Sequence, residues 1–301
     1  MVSIITPTHK KSVFWEATVL SVLSQTSANW EWIVLDNAKE PYFKKLLDML
    51  LDMYPEFKKL KKKIKVYEET FPEVCIGKLK NRCVELTNCK DDDFILLLDH
   101  DDLLMPSCVA DIEKTQKKIG KEIDYITSDC PIVSYWKNRL VPESLYETWT
   151  EPIPVEDLTI KNWSFSFYNM KSSKRIDKIP IGDHVTYIAE HPRIIKKRVI
   201  KTDTCKFYEG LHYSEDTMQR VVLTLFHNGV YIPKQEIICI HNRPDPNDDT
   251  FIDSGTYLQF HDGINEFTEW YQKLNNFYIV YRSLFPDKKV IEIPHFNPDE
   301  E

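Results

Sequence analysis

The chain has 301 residues, 42% of them hydrophobic and 29% charged, which is enough to bury a sizeable core and too apolar for a disordered chain. A net charge of −8 excludes a nucleic-acid binder that works through a broad basic surface. Seven cysteines without a Cys-x-x-Cys pair exclude a zinc ribbon and give no disulfide framework, so reduced thiols in the core are expected.

The N-terminus, Met1 to Thr6, lacks the charged flank and long apolar stretch of a signal peptide. No apolar run approaches the roughly 18 residues of a spanning helix. The expectation is a soluble, cytoplasmic protein with no transmembrane segment. One basic run, Lys58 to Lys65, reads as a solvated face leading into a strand, or else as a contact to a membrane surface or an acidic partner.

In chain order, Val2 to Thr6 is short and β-branched and reads as a buried strand that Pro7 ends. Trp15, Val19, Val22 and Leu23 fall at helical spacing. Trp32 to Leu35 is a second strand, ending on Asp36-Asn37. Phe43, Leu46, Leu47, Leu50, Leu51 and Tyr54 mark an amphipathic helix. Ile64 to Tyr67 predicts a third strand and Ile76 to Leu86 another helix. The strongest apolar run, Phe94 to Leu98, suits a central parallel strand covered on both faces. Pro106 opens a helix through Val109, Ile112 and Ile119, and Asp124 to Thr127 is a further strand.

From Pro131 to Pro180 the pattern weakens into scattered aromatics and prolines. It returns as a helix through Met218, Val221, Val222, Leu225 and Phe226, with Ser214 as its cap, and as strands at 231–232 and 237–240. Pro244 to Asp249 reads as a linker, followed by a helical stretch through Phe260, Ile264, Phe267, Trp270, Tyr271, Leu274 and Phe277. This alternation predicts a βαβ sheet with crossover helices. No Gly-x-Gly-x-x-Gly is present, so the dinucleotide fingerprint is absent.

The chemistry concentrates in Asp99-His100-Asp101-Asp102, directly after the central strand, where open α/β sheets hold their ligands. Such carboxylates repel one another unless a cation neutralises them, and oxygen ligands suit Mg²⁺ or Mn²⁺. The competing structural role is an acidic helix N-terminus. Asp36 ends the second strand as a base or ribose acceptor, or as a turn former and cap. Glu215-Asp216 reads as a general base with its neighbour, or as first-turn acids on the dipole. His241 is a candidate metal ligand and Arg243 a candidate phosphate contact.

Together these segments resemble the large family 2 group of GT-A glycosyltransferases, over roughly residues 2 to 243. Val2 to Thr8 is similar to the family's first strand, and Leu23-Ser24-Gln25-Thr26 followed by Trp30 to Asn37 to its QT and acidic strand-end run. Ile76 to Arg82 is similar to its basic helix segment, Phe94 to Pro106 to its DxDD turn, and Glu215-Asp216 to its ED pair.

The resemblance implies a mostly parallel sheet flanked by helices over 1–245, with a helical extension over 246–301 packed on it. Thr6, Pro7 and Thr8 would line the nucleotide pocket, Asp36 would contact the base, and Lys80 would lie near base and ribose; Asn37, next to Asp36, is a candidate donor contact by position. Asp99 would reach ribose or sugar, Asp101 would ligate Mn²⁺ or Mg²⁺, Asp216 would be the base of an inverting transfer, and Glu215 would support the acceptor; apart from the resemblance, His100 is a candidate donor contact by its place in the turn, and His241, a lone His-x-Arg, is the weaker candidate for the metal. The donor would be a nucleotide-sugar, a UDP-sugar first, and the acceptor a glycan or other hydroxyl.

Asn37-Ala38-Lys39 departs from the family's acidic-glycine-serine run, and Lys80 replaces an arginine, keeping its charge without the planar fork. Two rivals remain: an inactive nucleotide-sugar or glycan-binding module, and a sugar nucleotidyltransferase. The second wants a glycine-rich basic loop that Pro7 to Lys11 does not supply.

Overall fold

The structure is a computed structural model. It describes residues 1–9, 12, 14–71, 76–120, 122–129, 132–136, 139–142, 153–154, 176–181, 184–189, 193–207, 209, 216, 219, 222–223, 227–235 and 237–242. The expected cap at Ser214, most of the helix after it, the linker and the C-terminal helical stretch lie outside these residues.

Strands β1 (Val2–Thr8), β2 (Trp30–Asp36), β3 (Ile64–Glu68) and β4 (Phe94–Leu97) alternate with helices α1 (Trp15–Leu23), α2 (Phe43–Met53) and α3 (Ile76–Leu86). Beyond β4 come the short β5 (Leu103–Leu104), α4 (Cys108–Ile119) and β6 (Tyr125–Asp129). The later elements are β7 (Ile132–Trp136), β8 (Arg139–Pro142), β9 (Ile153–Pro154), β10 (Ile176–Ile181), β11 (His184–Ala189), β12 (Ile194–Lys196), α5 (Lys197–Ile200), β13 (Gly229–Gln235) and β14 (Ile237–Asn242).

The main sheet has seven strands in the order β13-β6-β12-β4-β1-β2-β3. Its pairs are parallel except where β12 lies antiparallel between β4 and β6. A five-stranded sheet, β5-β14-β7-β8-β9, and the hairpin β10-β11 complete it. Within the weakly patterned region from Pro131 to Pro180, the described residues of this second sheet are β7, β8 and β9. Its strands pair as antiparallel hairpins, β7 with β8 and β8 with β9, and short hairpin strands do not produce long apolar runs.

Strand periodicity sorts the core into two layers. Ile4, Trp32, Val34, Leu96 and Leu98 face α1, α2 and α4, where they meet Val19, Leu46, Leu50, Val109 and Ile112. Ile5, Ile33, Leu35, Ile95 and Leu97 face α3 and α5, meeting Leu79, Cys83, Val84, Val199 and Ile200. At the start of β13, Gly229 pairs with Tyr125, and a Cβ there would lie 2.1 Å from the tyrosine ring, so glycine alone fits.

Pro7 does not end β1, which continues through Thr8 beside β2. The reason lies in the alternation of the ladder. Ile5 O accepts from Leu98 N at 3.0 Å, and Thr8 O accepts from Asn37 N at 2.7 Å. Pro7 shares the parity of Ile5, so its missing N–H would face β4, whose pairing with β1 stops at Ile5 and Leu97. No ladder bond is lost, and the pairing of β1 with β4 ends there.

The basic run lies mostly in an exposed 3₁₀ helix, Pro55–Lys63. Lys58 pairs with Asp52 at 2.8 Å and Lys61 with Asp48 at 2.6 Å, which supports the solvated-face reading.

Candidate active site

The acidic segment is a closed β-turn: Asp102 N donates to Asp99 O at 3.1 Å, which places His100 and Asp101 at the corner. Helix α1 holds this turn from below. Thr18 Oγ1 donates to His100 O at 3.1 Å, and Ser21 Oγ accepts from Leu104 N at 3.2 Å. Gln25 continues the clamp, donating to Met105 O at 2.8 Å and accepting from Val109 N at 3.1 Å. Thr26 N donates to Pro106 O at 2.9 Å. The Gln-Thr pair after α1 therefore fixes the chain that leaves the acidic turn. His100 packs edge-on against Trp15 and His9, with ring centroids 6.4 and 6.0 Å apart.

Among the described residues, Arg193 and Lys80 reach the carboxylates. Arg193 Nη1 bonds Asp102 and lies 3.2 Å from Asp99 Oδ2, and Lys80 Nζ lies 3.8 Å from Asp99 Oδ1. Asp102 is buried and ion-paired, and α4 starts at Cys108 with Asp111 as its first-turn acid. That geometry removes the helix N-terminus reading for Asp101 and Asp102. Pro106 likewise sits two residues ahead of the helix it was expected to open.

Asp36 does the structural job its position allows. Its carboxylate accepts from Ala38 N at 3.1 Å, Tyr42 N at 3.0 Å and Phe43 N at 3.1 Å, closing the turn after β2 and capping the start of α2. Asn37 Oδ1 accepts from Phe71 N at 2.7 Å, which identifies Nδ2 as a buried donor with no hydrogen-bond partner among the described residues. Thr6 is fully buried and its hydroxyl accepts from Trp32 Nε1 at 2.9 Å. Pro7 and Thr8 stand at the sheet edge, one residue before Asn37 in register.

Asn81, next to Lys80 on α3, clamps residue 207 through both backbone groups: Nδ2 to Phe207 O at 2.8 Å and Phe207 N to Oδ1 at 2.9 Å. The Phe207 ring lies under Lys80 Nζ at 5.3 Å, and Gln219 Nε2 donates to Cys205 O at 2.7 Å. These contacts tie Phe207 to the Lys80 side of the site and Gln219 to Cys205. Asp216 is helical and half-buried; Glu215 lies outside the described residues. His241 sits on β14, opposite Ser134, and three residues past the pair Ile238–Leu103 that joins β14 to the strand after the turn.

The region from residue 3 to 201 matches the model of Glycosyl transferase family 2. The chain belongs to that family. Its fold is the GT-A fold, as the solved structures it resembles also show. Staphylococcus aureus TarS matches with a TM-score of 0.51 at 16% identity, over 79% of this chain and 36% of that one. TarS residues 1–349 in complex with UDP-GlcNAc match with a TM-score of 0.51 at 16% identity, over 81% of this chain and 59% of that one. The same TarS fragment in complex with UDP gives 0.50 at 17% identity, over 79% and 60%. The family 2 chain thus spans between about a third and three fifths of the length of these structures. A sequence search among curated proteins finds no match.

Arg193, Thr18, Ser21 and Gln25 hold this family 2 site together without having been singled out as site residues. A lone arginine before a three-residue strand has no local signature. The hydroxyls of Thr18 and Ser21, in a helix otherwise buried by apolar side chains, were the available signal.

Proposed function

We propose that the chain is a metal-dependent glycosyltransferase. It moves a sugar from a nucleoside-diphosphate donor, a UDP-sugar, to a hydroxyl of a glycan or other acceptor, with inversion at the anomeric carbon. One observation carries this reading: the Asp99–Asp102 turn is fixed at the carboxyl end of β4, next to β1 in the sheet, with Lys80 and Arg193 reaching it. Family membership supports sugar transfer, and the UDP-GlcNAc complex of TarS supports a uridine donor.

Among the described residues, no three His, Cys, Asp or Glu side chains converge on a closed metal cage. The donor set still fits Mn²⁺ or Mg²⁺, because such cations take one or two carboxylates and complete their shell with phosphate oxygens. Asp101, at the corner of the turn, is the proposed ligand, with His241 as a second. When bound, the cation supplies neutralisation of the charge on the departing diphosphate.

The remaining roles belong to the chain itself. Pro7 and Thr8 line the nucleotide crevice, with Thr6 behind them in the core. Asn37 Nδ2 offers a donor to a base carbonyl, and Asp36 keeps one acceptor position for a base N–H beyond the three backbone bonds it makes. Lys80 contacts the ribose side, and Asp99 with His100 contacts ribose or sugar. Asp216 takes the proton of the acceptor hydroxyl as its oxygen bonds to the anomeric carbon and the bond to diphosphate breaks; Glu215 supports the acceptor.

The deciding experiment is a screen of nucleotide-sugars for metal-dependent thermal stabilisation and donor hydrolysis. A UDP-sugar with Mn²⁺ is expected to raise Tm and to be slowly hydrolysed, and Asp101→Asn is expected to abolish the metal dependence of both. Stabilisation without hydrolysis or transfer for any donor would replace this reading with that of a binding module.

A further inference from the structure

Arg193 stands immediately before β12, the antiparallel strand of the main sheet, and its backbone O accepts from Leu97 N at 2.7 Å, at the end of β4. Its side chain is 11% exposed and that of Lys80 is 7% exposed, so neither charge is dispersed by bulk water. Between them they face Asp99 from both of its oxygens, and Arg193 also holds Asp102. Two of the turn's three carboxylates, Asp99 and Asp102, are thus already met by a cation of the protein.

We infer that Arg193 couples metal capture to donor binding, by offsetting the acidic turn until a diphosphate supplies the missing negative charge. The inference rests on the glycosyltransferase reading above. A divalent cation arriving alone meets carboxylates already paired and a guanidinium that repels it. A nucleoside diphosphate brings anionic oxygens to the same two cations, which raises the negative potential the metal sees. Linkage makes the effect reciprocal, so metal tightens the nucleotide by the factor by which nucleotide tightens metal. Arg193 is a positioning residue in this scheme, acting through Asp99 and Asp102.

The test is Mn²⁺ binding, followed by the spin-resonance signal of free Mn²⁺, with and without UDP. The wild-type chain is expected to bind Mn²⁺ weakly alone and about tenfold or more tightly with UDP. Arg193→Gln should bind Mn²⁺ alone several-fold more tightly and show a smaller UDP effect. Arg193→Lys, which keeps the charge, should behave like wild type, a rescue that a purely structural role would not predict. Should Arg193→Gln fail to fold with Asp102 left buried and unpaired, Lys80→Gln removes the other cation and is expected to move Mn²⁺ binding the same way. Folded variants whose Mn²⁺ affinity without UDP is unchanged or weaker would overturn the inference alone. A wild-type chain that binds no UDP with or without Mn²⁺ would overturn the glycosyltransferase reading, and the coupling with it.

Discussion

Asp101 and Asp216 are assigned different halves of the chemistry, and single substitutions separate them. Asp216→Asn is expected to keep metal-dependent stabilisation by UDP while transfer falls by roughly 10²–10⁴-fold, the usual contribution of a positioned base. Near-wild-type turnover in that variant would remove Asp216 from the mechanism. A second residue-scale prediction concerns thiols. Burial pushes the Cys205 thiol from 9.0 up to about 11, against smaller opposing hydrogen bonds from Thr202 and Thr204, with the charge of Asp124 adding to the rise. Burial raises Cys83 and Cys89 as well. The folded state therefore holds these protons more tightly than the unfolded chain, so the contribution to stability is full below pH 9 and is lost as pH climbs through about 11. Urea midpoints at pH 8 and pH 10 should differ less in Cys205→Ala than in wild type; equal slopes would mean that Cys205 plays no part. Among site residues, the acidic turn was legible because carboxylates packed side by side after an apolar strand have few structural uses. Asp36 was legible only as an alternative, since a strand-end aspartate looks the same whether it meets a base or, as its three backbone bonds show, caps α2.

At the scale of elements, β2 is buried along its whole length yet carries Glu31 in the middle of an apolar run. The carboxylate is tolerated because its neighbours satisfy it: Ser3 Oγ at 2.7 Å, Asn88 N at 2.6 Å, Asn88 Nδ2 at 2.9 Å and Lys65 Nζ at 3.4 Å. This network pins β1, β2, β3 and the loop after α3 together at the edge of the sheet remote from the acidic turn. Glu31→Ala strands the buried Ser3 hydroxyl and the donors of Asn88, and is expected to cost about 3 kcal/mol. The measurement is a urea titration with a lowered midpoint and an unchanged slope, and a loss under about 0.5 kcal/mol would show the network to be dispensable. The same elements show what periodicity reveals. Helices α2 and α3 and strands β2 and β4 follow from runs long enough to show a repeat of 3.6 or continuous burial. Strand β12 has three residues and inserts antiparallel, set by its partners β4 and β6 instead of its own pattern. Pro7 misleads for a related reason, because whether a proline breaks a strand depends on which neighbour its nitrogen faces.

For the whole molecule, the core layers formed by the described residues run from Met1 to Ile237, and the family match covers residues 3–201. The sheet that positions the acidic turn closes through β14, which ends at Asn242. We propose, from the sequence pattern of a polar Pro-Asp linker followed by helical spacing, a folding unit over residues 1–245 with 246–301 as an added helical extension. A chain ending at residue 245 is therefore expected to unfold in one cooperative step and to keep its metal-dependent stabilisation by UDP. Its denaturant slope should fall by no more than roughly a fifth, in keeping with the share of residues removed, because the slope tracks the surface exposed on unfolding. The aromatic residues from Phe260 to Phe277 set the opposing expectation. If they complete the core, the shortened chain will expose apolar surface, unfold over a broad range and lose nucleotide binding. Comparing the two chains by urea titration and by UDP-induced thermal shift decides between a self-sufficient catalytic unit and one that needs its extension to fold.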